Sequence, residues 1–173
     1  KWLKAEFVQE PGGNYEAQMS ENMKVMDSIA PVSITKISGN RYIIDFGQNM
    51  TGWVKFSVQG KKGEQVKLRY AEALETSGEL AVANLRDAKA QALYILKGNG
   101  KETWEPSFVY YGFRYVEVSG YPGTVTKENF VAKMVYDDIR TVGSFKSSNQ
   151  LLNQIYKNVW WGTAGNYKGM PVD

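Results

Sequence analysis

The chain has 173 residues, 43% hydrophobic and 23% charged, with a net charge of +3, which suits one full domain of a soluble globular protein rather than two. It contains no cysteine and no histidine, so disulfides, thiolate chemistry, Cys/His zinc sites and Ser-His-Asp or Cys-His catalytic sets are excluded. Acid/base work would fall to carboxylates, Lys or Tyr. The basic residues are scattered, so nucleic acid is not an expected partner. No apolar run approaches a membrane span and no signal peptide is visible, so no membrane partner is expected either.

In chain order, residues 1–30 read as an irregular strap. Pro11, Gly12 and Gly13 form loop chemistry. The spacing of Met19, Met23 and Met26 would also suit one face of a short helix, but no cap precedes it. From Pro31 the pattern becomes that of short strands. Arg41 to Phe46 is an apolar run, Gly52 to Gln59 sets Val54, Phe56 and Val58 against Trp53, Lys55 and Ser57, and Gln65 to Glu72 turns Val66, Leu68 and Tyr70 inward. Ala92 to Lys97 and Phe130 to Tyr136 are further strand candidates. The turns fall at Gly60–Gly63, Gly98–Gly100 and Tyr121–Gly123. Thr76 to Ala90 reads as a Greek-key crossover, with a binding loop as the alternative.

Trp104 to Val118 is the densest strand signal, and it reads as one central strand with its lead-in: nine of its fifteen residues are aromatic or β-branched. From Phe113 it alternates, with Phe113, Tyr115 and Glu117 on one side and Arg114, Val116 and Val118 on the other. The expected fold is therefore mainly β, an antiparallel β-sandwich of jelly-roll type. At Ser147 the period changes to that of a helix. Ser147 and Gln150 read as a capping box, Leu151, Leu152, Ile155, Tyr156, Val159 and Trp160 form an apolar stripe, and Gly162 and Gly165 fit a stop. A single C-terminal helix with so broad an apolar face needs a partner surface.

Several motifs occur together and in order: DFGQN at 45–49, GWV at 52–54, LRYAE at 68–72, NLR at 84–86, and WEP with GFRYVEV between 104 and 118. Over residues 30–135 this set resembles the bacterial α-L-rhamnosidases, glycoside hydrolase family 78. The segment from Val142 is similar to the linker and first helix of that family's (α/α)₆ catalytic barrel. The terminal MPVD resembles the start of a longer family motif, entered only as far as its first aspartate. Two positions depart from the pattern: Ala92 where an Asp is expected, and Tyr111 where a His is common.

The resemblance implies three parts: residues 1–30 as a strap from a preceding domain, 31–137 as a β-sandwich accessory domain, and 138–173 as the linker and first helix of a truncated catalytic domain. It implies a parent enzyme that removes terminal α-L-rhamnosyl groups with inversion, using two carboxyl groups about 6.5–9.5 Å apart. In the family both are glutamates beyond residue 173, so this chain alone is expected to be inactive, with no catalytic residue, metal or cofactor. Its expected partners are rhamnoside carbohydrates through the parent, and the missing barrel in cis. Asp173 matches a family aspartate that contacts the sugar, with no function expected of it here.

The remaining carboxylates (Glu72, Glu75, Glu79 and the pair Asp137-Asp138) read as solvated surface, and Asp45, Gln48 and Asn49 as a turn between two strands, with sugar contacts as the alternative. The aromatics, 13% of the chain, read first as sandwich core. The alternative is a carbohydrate-binding module in which Trp53, Tyr110 and Tyr111 stack on a sugar from one solvent-facing patch.

Overall fold

A computed structural model describes residues 3–171. Strands β1 (Met23–Ile29), β2 (Ser33–Ser38), β3 (Arg41–Gln59) and β4 (Gln65–Ala71) are followed by a small hairpin, β5 (Ala73–Leu74) and β6 (Leu80–Ala81). Then come β7 (Gln91–Ile95), β8 (Lys101–Trp104), β9 (Tyr111–Ser119) and β10 (Phe130–Asp137), helix α1 (Gln150–Asn166), and a second small hairpin, β11 (Tyr167–Lys168) and β12 (Met170–Pro171). Eight strands form one curled antiparallel sheet in the order β1-β10-β3-β9-β4-β7, with β2 and β8 also paired to β3. The architecture is a mainly β, antiparallel domain of sandwich or jelly-roll type with one C-terminal helix.

β3 is the spine. Its first half lies between β2 and β9, and its second half between β10 and β8. Val54, Phe56 and Val58 point inward and are at most 2% exposed, where they meet Val66, Leu68 and Tyr70 of β4 and Phe130, Ala132 and Met134 of β10. Phe56 is the aromatic hub, packing edge-on to Tyr94 and Trp104 and stacking on Phe130 at 5.9 Å. Burying one such side chain stabilises the fold by about 1.5–3 kcal/mol. Gly52 is required by close approach: a Cβ there would sit 1.8 Å from the Lys133 carbonyl oxygen of β10.

The DFGQN segment is a bulge inside β3, not a turn between two strands. Asp45 pairs with Tyr115 and Met50 with Phe113, so four residues of β3 face the single residue Arg114 of β9. Gly47 adopts φ +74°, which glycine accommodates without a Cβ clash. Its N–H donates to Asp45 Oδ1 at 2.6 Å. The same carboxylate accepts Arg114 Nε and Nη2, each at 2.9 Å. Arg114 holds the Asp45 carboxyl below its ordinary pKa, and the Gly47 N–H adds to the effect. The motif thus fixes where the strand bends, and Asp45 pins the bend to the residue opposite it.

That bulge also changes the expected facing of β9. Phe113 shares the main core with Val116 and Val118, while Tyr115 packs on a smaller core of Ile43, Ala71 and Leu80. The pleat therefore slips between Phe113 and Val116, beside the bulge. Arg41 links β3 to the small hairpin and to β9, donating to Glu79 Oε2 at 2.5 Å and Glu117 Oε2 at 2.6 Å.

Other expectations shift as well. Trp104 and Val118 belong to different strands, because residues 105–110 loop out between β8 and β9. The strap is not wholly irregular, since Met23–Ile29 adds to β10 as an edge strand, and Met19, Met23 and Met26 are not helical. The helix is capped by Asn149, whose side chain accepts the Leu151 N–H at 2.9 Å. Ser147 instead holds Asn153 through its backbone groups. Gly162 and Gly165 lie within the helix, which runs on to Asn166.

Candidate functional site

Two surfaces bear on function: the aromatic positions singled out from sequence, and the junction where α1 meets the sheet. Trp53 sits on the outer face of β3 beside Lys133 of β10. Its indole N–H donates to Glu105 Oε2 at 2.7 Å, and Lys55 pairs with the other oxygen of Glu105 at 3.3 Å. Tyr111 faces the opposite way. It stacks on buried Tyr70 at 4.1 Å between ring centroids, and its hydroxyl donates to the Gln91 carbonyl at 2.8 Å. Burial raises its phenol pKa. Tyr110 is 41% exposed, with Lys168 Nζ 5.7 Å from its ring centroid. The three rings do not share one patch, because Trp53 and Tyr111 lie on opposite faces of the sheet. Asp173 lies outside the described residues.

Both departures from the resemblance have structural counterparts. Ala92 is 9% exposed and packs in the main core, where a carboxylate would need a hydrogen-bond partner to be buried. Tyr111 fills the space above Tyr70 with an aromatic plane.

The carboxylates divide more sharply than sequence suggests. Glu72 is exposed and accepts Asn49 Nδ2 at 2.9 Å, and Glu79 pairs with Arg41. Asp138 is exposed and pairs with Lys24. Asp137, read as solvated, is only 3% exposed, and its Oδ2 accepts the Gly169 N–H at 2.5 Å. The chain following α1 folds back over the end of β10 and buries it. Lys168, in that same return, donates to the Ala164 and Gly165 carbonyls at 3.1 and 3.2 Å, placing a cation on the helix C-terminus. Burial lowers its ammonium pKa, with Asp137 opposing the shift. Among the described residues no three Asp or Glu side chains converge as metal ligands, and no helix is long and apolar enough to cross a membrane.

Helix α1 meets the sandwich through its C-terminal half only. Trp160, Trp161 and Ala164 pack against the core, and Trp160 lies edge-on to Tyr136 of β10 at 5.9 Å. The stripe N-terminal to them faces outward: Leu151 is 66% exposed and Val159 62%. Between the helix and the β3 bulge lies an open cleft of about 360 Å³, walled by Gln48, Asn49 and Glu72 from the sheet and by Asn158, Trp161 and Asn166 from α1. From sequence, Gln48 and Asn49 read as part of the DFGQN turn and Glu72 as surface, Asn158, Trp161 and Asn166 carry no site signal, and nothing joins the six into one site. A helix and a bulge a hundred residues apart meet only in the folded chain.

Residues 35–136 match the family model of the bacterial α-L-rhamnosidase concanavalin-like domain. The chain belongs to the bacterial α-L-rhamnosidase family. Residues 140–173 match a second rhamnosidase model, the 6-hairpin glycosidase domain, which begins where the sandwich match ends. An α-L-rhamnosidase of Streptomyces avermitilis is 36% identical over 157 residues, covering 91% of this chain and 15% of the relative. The structure of the Dictyoglumus thermophilum α-L-rhamnosidase superposes with a TM-score of 0.93 at 37% identity, over 96% of this chain and 19% of that one. The S. avermitilis enzyme, solved in complex with L-rhamnose, superposes with a TM-score of 0.88 over 91% of this chain and 15% of its own. The chain thus spans less than a fifth of the length of these relatives.

Proposed function

We propose that residues 31–137 are the non-catalytic sandwich module of an α-L-rhamnosidase-like glycoside hydrolase, and that residues 138–173 are the linker and first helix of its (α/α)₆ catalytic domain. Residues 1–22 then lead in from a preceding domain, and β1 joins the module's sheet as its edge strand. In this reading the whole protein hydrolyses terminal α-L-rhamnosyl groups with inversion, and the sandwich positions the catalytic domain without touching the reacting bond. The observation that carries it is α1. Its rear half is rooted in the sandwich through Trp160, Trp161 and Ala164, while Leu151, Leu152, Ile155 and Val159 face away from it. A helix apolar on both sides belongs between two bodies, and the boundary between the two family matches falls in the linker just before it.

The experiment is hydrolysis of an aryl α-L-rhamnoside. The 173-residue chain is expected to release no aryl alcohol above the buffer blank. A longer protein continuing through the catalytic domain is expected to turn over, with β-L-rhamnose as the first anomer seen by proton NMR. Turnover by the short chain, or an α-anomer from the long one, contradicts the reading.

A further inference from the structure

We propose that the cleft between the β3 bulge and α1 is a binding site for a neutral saccharide unit, held by Gln48, Asn49 and Glu72 from the sheet and by Asn158, Asn166 and Trp161 from the helix. The cleft has a volume of about 360 Å³, at the lower end of the roughly 300–1,000 Å³ typical of small-molecule sites. Its chemistry selects the class of ligand. Four carboxamides carry the donor and acceptor groups that a hydroxyl requires; Gln48 Nε2 spends one N–H on the Asn49 carbonyl at 2.8 Å and Asn49 Nδ2 one on Glu72, and each keeps a second. Glu72 gives one oxygen, Oε1, to Asn49; among the described residues Oε2 accepts no hydrogen bond, which leaves its lone pairs for sugar hydroxyls. Asn158 Oδ1 accepts Gln154 at 2.7 Å, which leaves its NH₂ to donate.

Trp161 supplies the apolar part of the wall, a flat indole for the C–H face of a pyranose. It is fixed by its edge-on packing against Trp160, 5.2 Å between centroids. No Lys or Arg lines the cleft, so a phosphate or carboxylate ligand would meet Glu72 with no compensating cation. Backbone placement keeps the space open. Gly162 and Gly165 turn toward the cleft, and a Cβ built on Gly162 would meet nothing within 4 Å. Both stand inside a helix where a larger residue would be the better helix former. The two glycines that read as a helix stop act instead as the floor of the cleft.

This inference rests on the cleft's own side chains and not on the rhamnosidase reading, so the two can fail separately. The test is a titration of the isotope-labelled chain, followed by NMR, with L-rhamnose, D-glucose, D-galactose, D-mannose and D-glucuronate in turn, each to about 50 mM. At least one neutral sugar is expected to shift the Trp161 indole N–H and the Asn158 and Asn166 side-chain amides saturably, with Kd on the order of 1–10 mM. Gly162→Gln places a side chain in the cleft on an unstrained helical backbone and is expected to weaken binding at least roughly tenfold, with the circular dichroism spectrum unchanged. If that variant does not fold, Asn158→Ala and Glu72→Gln, both at exposed positions, carry the same expectation. The proposal is overturned by any of four results: no saturable shift with any neutral sugar, shifts centred on Trp53 and Tyr110, binding indifferent to the folded variants, or binding of glucuronate alone.

Discussion

The sandwich and the helix obey the same rule of apolar periodicity and end in opposite states. On β3, every second residue from Val54 to Val58 is sealed, because β4, β9 and β10 close over that face. On α1, Leu151, Leu152, Ile155 and Val159 recur just as regularly, and remain between 45% and 66% exposed. Periodicity states which side of an element seeks cover; it does not state whether the cover comes from the same fold. The sheet finds its cover within about a hundred residues of chain. The helix finds it for one half only, and the other half is the face a second body would take.

Core truncation should separate the two regions most strongly. Phe56→Ala removes the hub of the aromatic cluster, and is expected to destabilise the chain by about 3–5 kcal/mol, read as a lowered midpoint in urea at unchanged slope. Gly52→Ala should come next, by at least about 2 kcal/mol, because its Cβ would strike the Lys133 carbonyl, a backbone group with nowhere to yield.

The bulge supplies a smaller effect with a pH signature. Asp45→Asn breaks the two-pronged pair with Arg114 and is expected to lose about 1–2 kcal/mol at neutral pH, discounted for the partial exposure of Arg114. The sign follows from the lowered Asp45 pKa. A carboxyl whose folded pKa lies below its unfolded value, about 3.9, contributes stability that is fully present above that value and is lost as pH falls through the folded one. Thermal melts of the two proteins should therefore converge below about pH 4. A constant gap across the acid range would show that the pair is not the source.

The smallest effect on stability belongs to the helix face. Leu152→Ser with Val159→Ser should change unfolding by less than about 1 kcal/mol in all, while reducing self-association measured by sedimentation. Loss of the fold would mean that this face is core after all.

The strands that alternate were legible from sequence: Val66, Leu68 and Tyr70 of β4 are each buried as their pattern requires. What escaped was register. DFGQN reads as a turn from its Asp, Gly and Asn, and those residues do turn the chain, but between two stretches that remain one strand because Arg114 bridges the gap. β1 escaped because Met23–Ile29 alternates weakly and is recruited by the open edge of β10. Asp137 looked like half of a solvated pair until the return after α1 covered it. The family was legible because several motifs occur in order, and residues 35–136 match it. The cleft was not, because its two walls are far apart in sequence.

Native-state hydrogen exchange tests the contrast between the two regions most directly. The account predicts that amides of Val54, Phe56, Val116 and Val118 exchange only through global unfolding, while those of Gln154, Ile155 and Tyr156 open locally and exchange at least about a hundredfold faster. Equal protection in the two sets would contradict it, since the first half of α1 would then be as fully integrated as the sandwich itself.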